Sequence, residues 1–262
     1  MTEKGYDDRI SKILSGDQFE MKIFRSNSRP VELVEQERIN KILLGLNKEG
    51  KLSDDTFKAL KIRGGQIPKM YGLAKVHKEG APVRPIVSMS GSVYENIGKL
   101  VSQWLSRVPE ASINCGSKAV TNLFRKGTQT TKIRPGRKLV SFDVVSLYTN
   151  VPVGEAIDLA AEKLYCRYNY YMGFVPPVDR ETFKILAHLC CSNILLRSSN
   201  GVYIQKEGLG MGIQPSPMLA NISLSQFEGK IKDDGEIFFR YMDDILNDVF
   251  GGEEKTKLNQ IN

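Results

Sequence analysis

Cysteine is scarce in this chain: four in 262 residues, Cys115, Cys166, Cys190 and Cys191, with no CxxC spacing among them. Histidine is scarcer still, with only His77 and His188. Such a set argues against a zinc site or a disulfide framework. It fits a reducing intracellular compartment, with the thiols as small buried apolar groups. Long apolar runs are also missing, so no segment reads as a membrane-spanning helix, and the first thirty residues are too polar and charged for a signal peptide. No internal repeat or low-complexity tract occurs, which sets repeat architectures and biased tracts aside.

What is present is a 41% apolar composition, enough for a real core and suited to one large domain or two closely joined ones. The net charge of +7 is unevenly placed. Between Lys61 and Val140 there are 15 Lys and Arg against 3 Asp and Glu, while the remainder has 22 against 27. A phosphate-binding surface beside a metal-binding carboxylate site would produce this split. A plain solvated basic face would produce it equally well.

Residues 1–60 read as polar and helical, with Val34, Ile39, Ile42, Leu43 and Leu46 near helical spacing over Val31–Leu46. Ser53-Asp54-Asp55 offers caps for a short helix ending at Leu60. From Gly64 to Ser90 the pattern is extended and punctuated by Pro and Gly, and Ser92–Val108 returns to helix. Leu139–Val144 reads as a buried strand, Thr149-Asn150 as a turn, and Pro152 onward as a helix start. Thr182–Leu196 reads as another apolar helix. Gly201–Gln205 is a short strand leading to the glycine-rich loop Gly208–Gly212, followed by a helix from Pro217 to Phe227. Asp233-Asp234-Gly235 reads as a turn before a strand over Ile237–Tyr241. Strands and helices mix without βαβ regularity, which predicts an α+β fold.

Four segments carry chemistry. Phe239-Arg240-Tyr241-Met242-Asp243-Asp244-Ile245-Leu246 places two adjacent carboxylates among apolar β-formers, tolerable at a tight turn and more so beside a divalent cation. An ordinary Asp-rich hairpin turn is the plainer alternative. Asp143 ends an apolar strand 100 residues earlier, where it could be a simple turn residue. Paired with Asp243 on a neighbouring strand, it could instead help hold two magnesium ions, one activating a primer hydroxyl and one neutralising a triphosphate. Gly208-Leu209-Gly210-Met211-Gly212-Ile213-Gln214-Pro215-Ser216-Pro217 permits close backbone approach to a base pair or ribose, or is a plain connecting loop. It matches neither a Walker loop nor a GxGxxG turn. Finally, Ile67–Lys78 and Pro82–Ser88 read as two strands joined at Glu79-Gly80-Ala81, projecting Lys75 and Arg84 toward an incoming triphosphate.

In this order the segments resemble the reverse transcriptase superfamily, and most closely the Penelope-like retroelements, relatives of telomerase. YGLAKVHK…APVRPIVS resembles that group's fingers motif, with Ala74 where Pro is more usual. FDVVSLYTNVP resembles its first aspartate motif, LGMGIQPSPMLANI its glycine-rich motif, and RYMDDI, with Tyr241 and Met242, the YxDD box. The resemblance implies Asp143, Asp243 and Asp244 as the catalytic acids, with the Val144 carbonyl as a further metal ligand. It implies Lys75 and Arg84 at the triphosphate and Tyr148 under the incoming sugar. Met211 and Gly212 stand where many relatives have Gln-Gly, and Ser216-Pro217 match the Ser-Pro of that motif. Ile213-Gln214-Pro215 departs from the usual small residues, and Asn247-Asp248 is polar where an apolar returning strand is expected.

The resemblance therefore implies a right-hand polymerase: a helical region over 1–60, basic fingers over 61–140, and a palm over 141–262. The palm is expected to be incomplete at the C-terminus, with the thumb missing or truncated. The expected activity is RNA-directed DNA synthesis with two Mg2+ ions, or Mn2+ in their place. The expected partners are an RNA template, a DNA primer and dNTPs, with no membrane, and the expected location is intracellular and nuclear. The alternatives are an RNA-dependent RNA polymerase and a non-catalytic nucleic-acid-binding fragment of a degenerate element.

Overall fold

The computed structural model describes residues 3–23, 29–76, 78–112, 135–166, 174–231 and 238–252. His77, Cys115 and the expected turn at Asp233-Asp234-Gly235 lie outside them. Helix α1 (Glu3–Leu14) leads to strand β1 (Phe19–Lys22), then helices α2 (Val31–Lys48) and α3 (Asp54–Leu60). The hairpin β2 (Lys69–Ala74) and β3 (Val83–Ser88) follows, then helices α4 (Glu95–Leu105) and α5 (Pro109–Ser112). Strand β4 (Arg137–Asp143), the short helix α6 (Leu147–Asn150) and helices α7 (Val153–Leu164) and α8 (Arg180–Cys191) come next. Strands β5 (Ile194–Ser198) and β6 (Gly201–Gln205), helix α9 (Ser216–Ile231) and strands β7 (Phe238–Tyr241) and β8 (Asp244–Phe250) complete the described chain. No helix among the described residues is long and apolar enough to cross a membrane.

Two sheets form, ordered β1-β6-β5-β2-β3 and β4-β8-β7. Helices α4, α7 and α8 pack around Ile97, Leu105, Ile157, Ala160, Leu164, Phe183 and Leu186, all fully buried. Trp104 and Phe183 meet at a ring separation of 6.3 Å. Burying these side chains, about 1.5–3 kcal/mol for each of the larger ones and less for Ala160, is the main driving force for the helical layer. Pro85 lacks an N–H yet sits in β3, which is possible because β3 is an edge strand of the larger sheet.

Several expectations need correction. The Thr182–Leu196 helix stops at Cys191; Asn193 takes a positive φ of 52°, and Ile194–Ser198 pairs with β6 as a strand. An apolar run of this length suits either state, and a cross-strand partner decided it. Residues 1–60 are not wholly helical, since Phe19–Lys22 pairs with β6. Val34 is 48% exposed, and the buried stripe of α2 is Glu35, Ile39, Leu43 and Leu46. The Glu35 carboxylate tolerates burial because it accepts from Arg38 at 2.6 and 2.8 Å and from the Tyr94 hydroxyl at 2.9 Å. Thr149-Asn150 falls in the one-turn helix α6. Asn247-Asp248 does not interrupt the last strand: both are buried in β8, where Arg137 Nε lies 2.7 Å from Asp248 Oδ2. Cys190 and Cys191 are buried, but Cys166 is only half so.

Candidate active site

The smaller sheet fixes the carboxylates. Strands β4 and β8 run antiparallel with Asp143 directly opposite Asp244, and Tyr241 of β7 pairs with Asp244 from the other side. Met242 and Asp243 are therefore the two-residue turn of the β7–β8 hairpin, and Met242 takes the positive φ of 56° that such a turn requires. The Val144 N–H donates to the Asp243 carbonyl at 2.8 Å, stitching β4 to that turn. Arg240, buried beneath it, donates to the Met242 carbonyl at 3.2 Å, to Asn221 Oδ1 at 2.9 Å and to Glu228 at 2.7 Å. Three carboxylates thus converge at one end of one sheet. Burial, followed by the charges of Asp243 and Asp143, pushes the Asp244 carboxyl above the usual carboxylate range.

Just past Asp143 the chain turns at Ser146, whose φ is 53°, and enters α6 with Tyr148 in its first turn. The Tyr148 carbonyl accepts the Leu209 N–H at 2.7 Å, so the glycine-rich loop lies against this segment. Gly208 makes that approach possible: with φ at +72°, a Cβ there would stand 2.7–3.0 Å from the Thr149 backbone. On its other side the loop docks on β3, where the Val87 N–H donates to the Met211 carbonyl at 2.7 Å. A Cβ on Gly212 would meet the Val87 carbonyl at 2.3 Å. The glycines allow backbone to lie on backbone.

Between these elements lies an open cleft of about 570 Å³. Asp143, Val144, Tyr148, Met242 and Asp243 line one side and Lys75, Arg84 and Met211 the other. The β2–β3 hairpin sets Arg84 opposite Leu73, and the Lys75 N–H closes onto the Pro82 carbonyl at 2.9 Å, so the cations sit near its tip. Eight of the residues singled out in the sequence therefore share one cavity. Asp244, Tyr241, Gly212, Ser216 and Pro217 do not line it. Asp244 and Tyr241 lie on the sheet beside it, Gly212 packs on β3, and Ser216 is buried at the start of α9 with no partner for its hydroxyl among the described residues. Sequence reasoning missed Lys78, Pro85 and Ser146, which also line the cleft. Lys78 had a signal, standing three residues from Lys75 in one basic run; Ser146 had none.

The donor set suits a hard cation: carboxylate oxygens and main-chain carbonyls, without thiol or imidazole. Among the described residues no group of three or more His, Cys, Asp and Glu forms a ready cage. Sparse coordination completed by substrate phosphates and water is the arrangement such residues can offer. Facing cations at the hairpin make the cleft complementary to a polyphosphate.

A family model described as reverse transcriptase (RNA-dependent DNA polymerase) matches residues 76–259. No curated protein matches the chain. Among solved structures, telomerase from Candida albicans in complex with a TWJ fragment of telomeric RNA is similar at a TM-score of 0.56 and 12% identity. That alignment covers 99% of this chain and 42% of the telomerase. An apo telomerase from Candida tropicalis, truncated from its C-terminal domain, gives a TM-score of 0.47 at 12% identity, covering 76% of this chain and 47% of that one. The α+β arrangement, with fingers-like and palm-like parts, is a fold shared with the Candida albicans telomerase, of whose length this chain spans under half.

Proposed function

Because the chain belongs to the reverse transcriptase (RNA-dependent DNA polymerase) family, we propose that it adds deoxynucleotides to a primer 3′ end on an RNA template. The observation that carries this reading is the single cleft. Carboxylates, cations and an aromatic ring from three separate sequence segments, with Met211 from a fourth, meet around a space large enough for a nucleoside triphosphate. The motif resemblance supports a retroelement origin of the Penelope-like kind, with residues 61–140 acting as fingers and 141–262 as palm. Residues 1–60 form an N-terminal region beside them.

In this reading Lys75 and Arg84 bind the triphosphate, Arg84 through its planar fork and Lys75 as a point charge. Tyr148 packs under the sugar, and Met211 lies on the facing wall, tied to β3. Asp143 and Asp243, with the Val144 carbonyl, would hold two divalent cations, and Asp244 adds charge from the adjacent strand position. Bound magnesium, or manganese in its place, supplies a lower pKa for the primer hydroxyl and neutralises charge on the triphosphate. The protein's part is positioning: the Val144 and Arg240 hydrogen bonds keep the Asp243 turn rigid, and the hairpin presents its cations across the cleft.

Primer extension on an RNA template tests this. The wild type should incorporate dNTPs, and Asp143→Asn should lose at least about a hundredfold in rate while its unfolding midpoint stays at or slightly above the wild type's, since a repelling charge is gone. A variant rate near wild type would end the assignment of Asp143.

A further inference from the structure

Residues 3–22 precede the segment that the family model matches, yet they touch both walls of the cleft. Helix α1 lies across the β2–β3 hairpin. The Tyr6 hydroxyl accepts the Gly72 N–H at 2.6 Å, and the Arg9 guanidinium donates to the Ala81 carbonyl at the hairpin tip. Ile10 is buried in the same contact. Glycine at position 72 leaves room both for Val83 of β3 and for the helix: a Cβ would stand 2.3 Å from Val83 Cγ1, 2.7 Å from Ile10 Cδ1 and 3.1 Å from the Tyr6 ring. After α1 the chain crosses to the opposite wall. Gln18 Nε2 donates to the Thr149 carbonyl at 3.1 Å, one residue past Tyr148, and the Gln18 carbonyl accepts the Lys206 N–H at 2.8 Å. Strand β1 then anchors the segment by pairing with β6.

We propose that this N-terminal segment is a strap that sets the separation of the two cleft walls, with Tyr6, Arg9 and Gln18 as positioning residues for nucleotide binding. The argument rests on the nucleotide reading of the cleft. Beyond the Lys69–Arg197 pair that joins β2 to β5, the hairpin carrying Lys75 and Arg84 is two-stranded, and such a part is stable only when something packs against it. Here α1 does so, at both the strand and the tip. Tyr148 stands on one turn of helix, too short to hold itself, and Gln18 fixes the carbonyl next to it. Because one continuous segment makes both attachments, loosening either wall changes how cations and ring meet the same substrate.

The experiment compares Tyr6→Phe, Arg9→Ala and Gln18→Ala with the wild type, using Lys75→Ala as a control. Two readouts are taken: amide hydrogen exchange and steady-state primer extension with varied dNTP. Tyr6→Phe and Arg9→Ala should speed exchange in 69–76 and 82–88 about fivefold, the loss of one hydrogen bond, with the β7–β8 hairpin unchanged. Their KM for dNTP should rise about fivefold, with kcat within about twofold and primer–template affinity unchanged. Gln18→Ala should lower the preference for dNTP over rNTP. If Lys75→Ala raises KM while the strap variants change neither exchange nor KM, the strap is overturned and the nucleotide reading stands. If kcat falls with KM unchanged, the segment is merely structural and the proposal fails. If hairpin exchange quickens but no variant, Lys75→Ala included, shifts KM, the nucleotide reading fails and the proposal with it.

Discussion

Tyr148 shows how much rests on single side chains in this cleft. Its ring belongs to a segment held by the Leu209 N–H on its own carbonyl and by Gln18 on the next, so its position is set from two directions. If Tyr148 packs under the incoming sugar as proposed, a 2′-hydroxyl would clash with its ring, and exclusion by a blocked site can exceed what a lost methylene contact supplies. Tyr148→Ala should therefore keep workable dNTP incorporation while raising rNTP incorporation by at least about tenfold. The ratio of kcat/KM for the two sugars measures this. An unchanged ratio, or a wild type that already prefers ribonucleotides, would favour an RNA polymerase instead.

At the scale of elements, β8 and α8 make separate predictions. Strand β8 carries Asp248 in a buried ion pair with Arg137, each side chain 5% exposed or less, on the strand that also supplies Asp244. Removing one partner of such a pair leaves a buried charge uncompensated, at a cost of about 3 kcal/mol or more. Asp248→Ala should lower stability to denaturant by that amount, and a loss under 1 kcal/mol would show the pair to be solvated. Helix α8 is capped by Asp179, which accepts the Thr182 N–H at 2.7 Å; that hydrogen bond holds the carboxyl below its ordinary value. A depressed folded pKa stabilises above the unfolded pKa of about 4 and is lost as pH falls through the folded one. Asp179→Ala should cost about 1 kcal/mol at pH 7, and the gap to wild type should narrow below about pH 4 in urea titrations. A deficit independent of pH would place its cause outside the cap.

For the whole molecule, the uneven charge predicts how the proposed primer–template would be held. If the basic stretch from Lys61 to Val140 meets about six phosphates, primer–template affinity should fall about a thousandfold between 50 and 200 mM salt. A flat dependence would remove that stretch from the interface. Binding titrations across salt at fixed temperature decide the point.

The elements on which the cleft is built were legible because their signals are local. Asp143 closes an apolar β-forming run, Asp243-Asp244 sits between two others, and Glu79-Gly80-Ala81 marks a turn whose Gly80 and Ala81 take positive φ. Backbone preference and hydrophobic period act over a few residues, so composition and order suffice to read them. Register was not legible, although the partnership of Asp143 with Asp243 on a neighbouring strand was. That Asp143 stands directly opposite Asp244, that Ile194–Ser198 is strand rather than helix, and that Asn247 and Asp248 lie buried are decided by register and by neighbours far along the chain. The reach of α1 and Gln18 across the two walls belongs to the same class, since Tyr6 meets Gly72 and Gln18 meets Thr149 only after folding. The sequence by itself determined which side chains are available and which way the local chain bends. Tertiary structure alone decided which of them face one another, because a contact between distant residues forms only when the burial it completes outweighs the entropy of closing the loop between them.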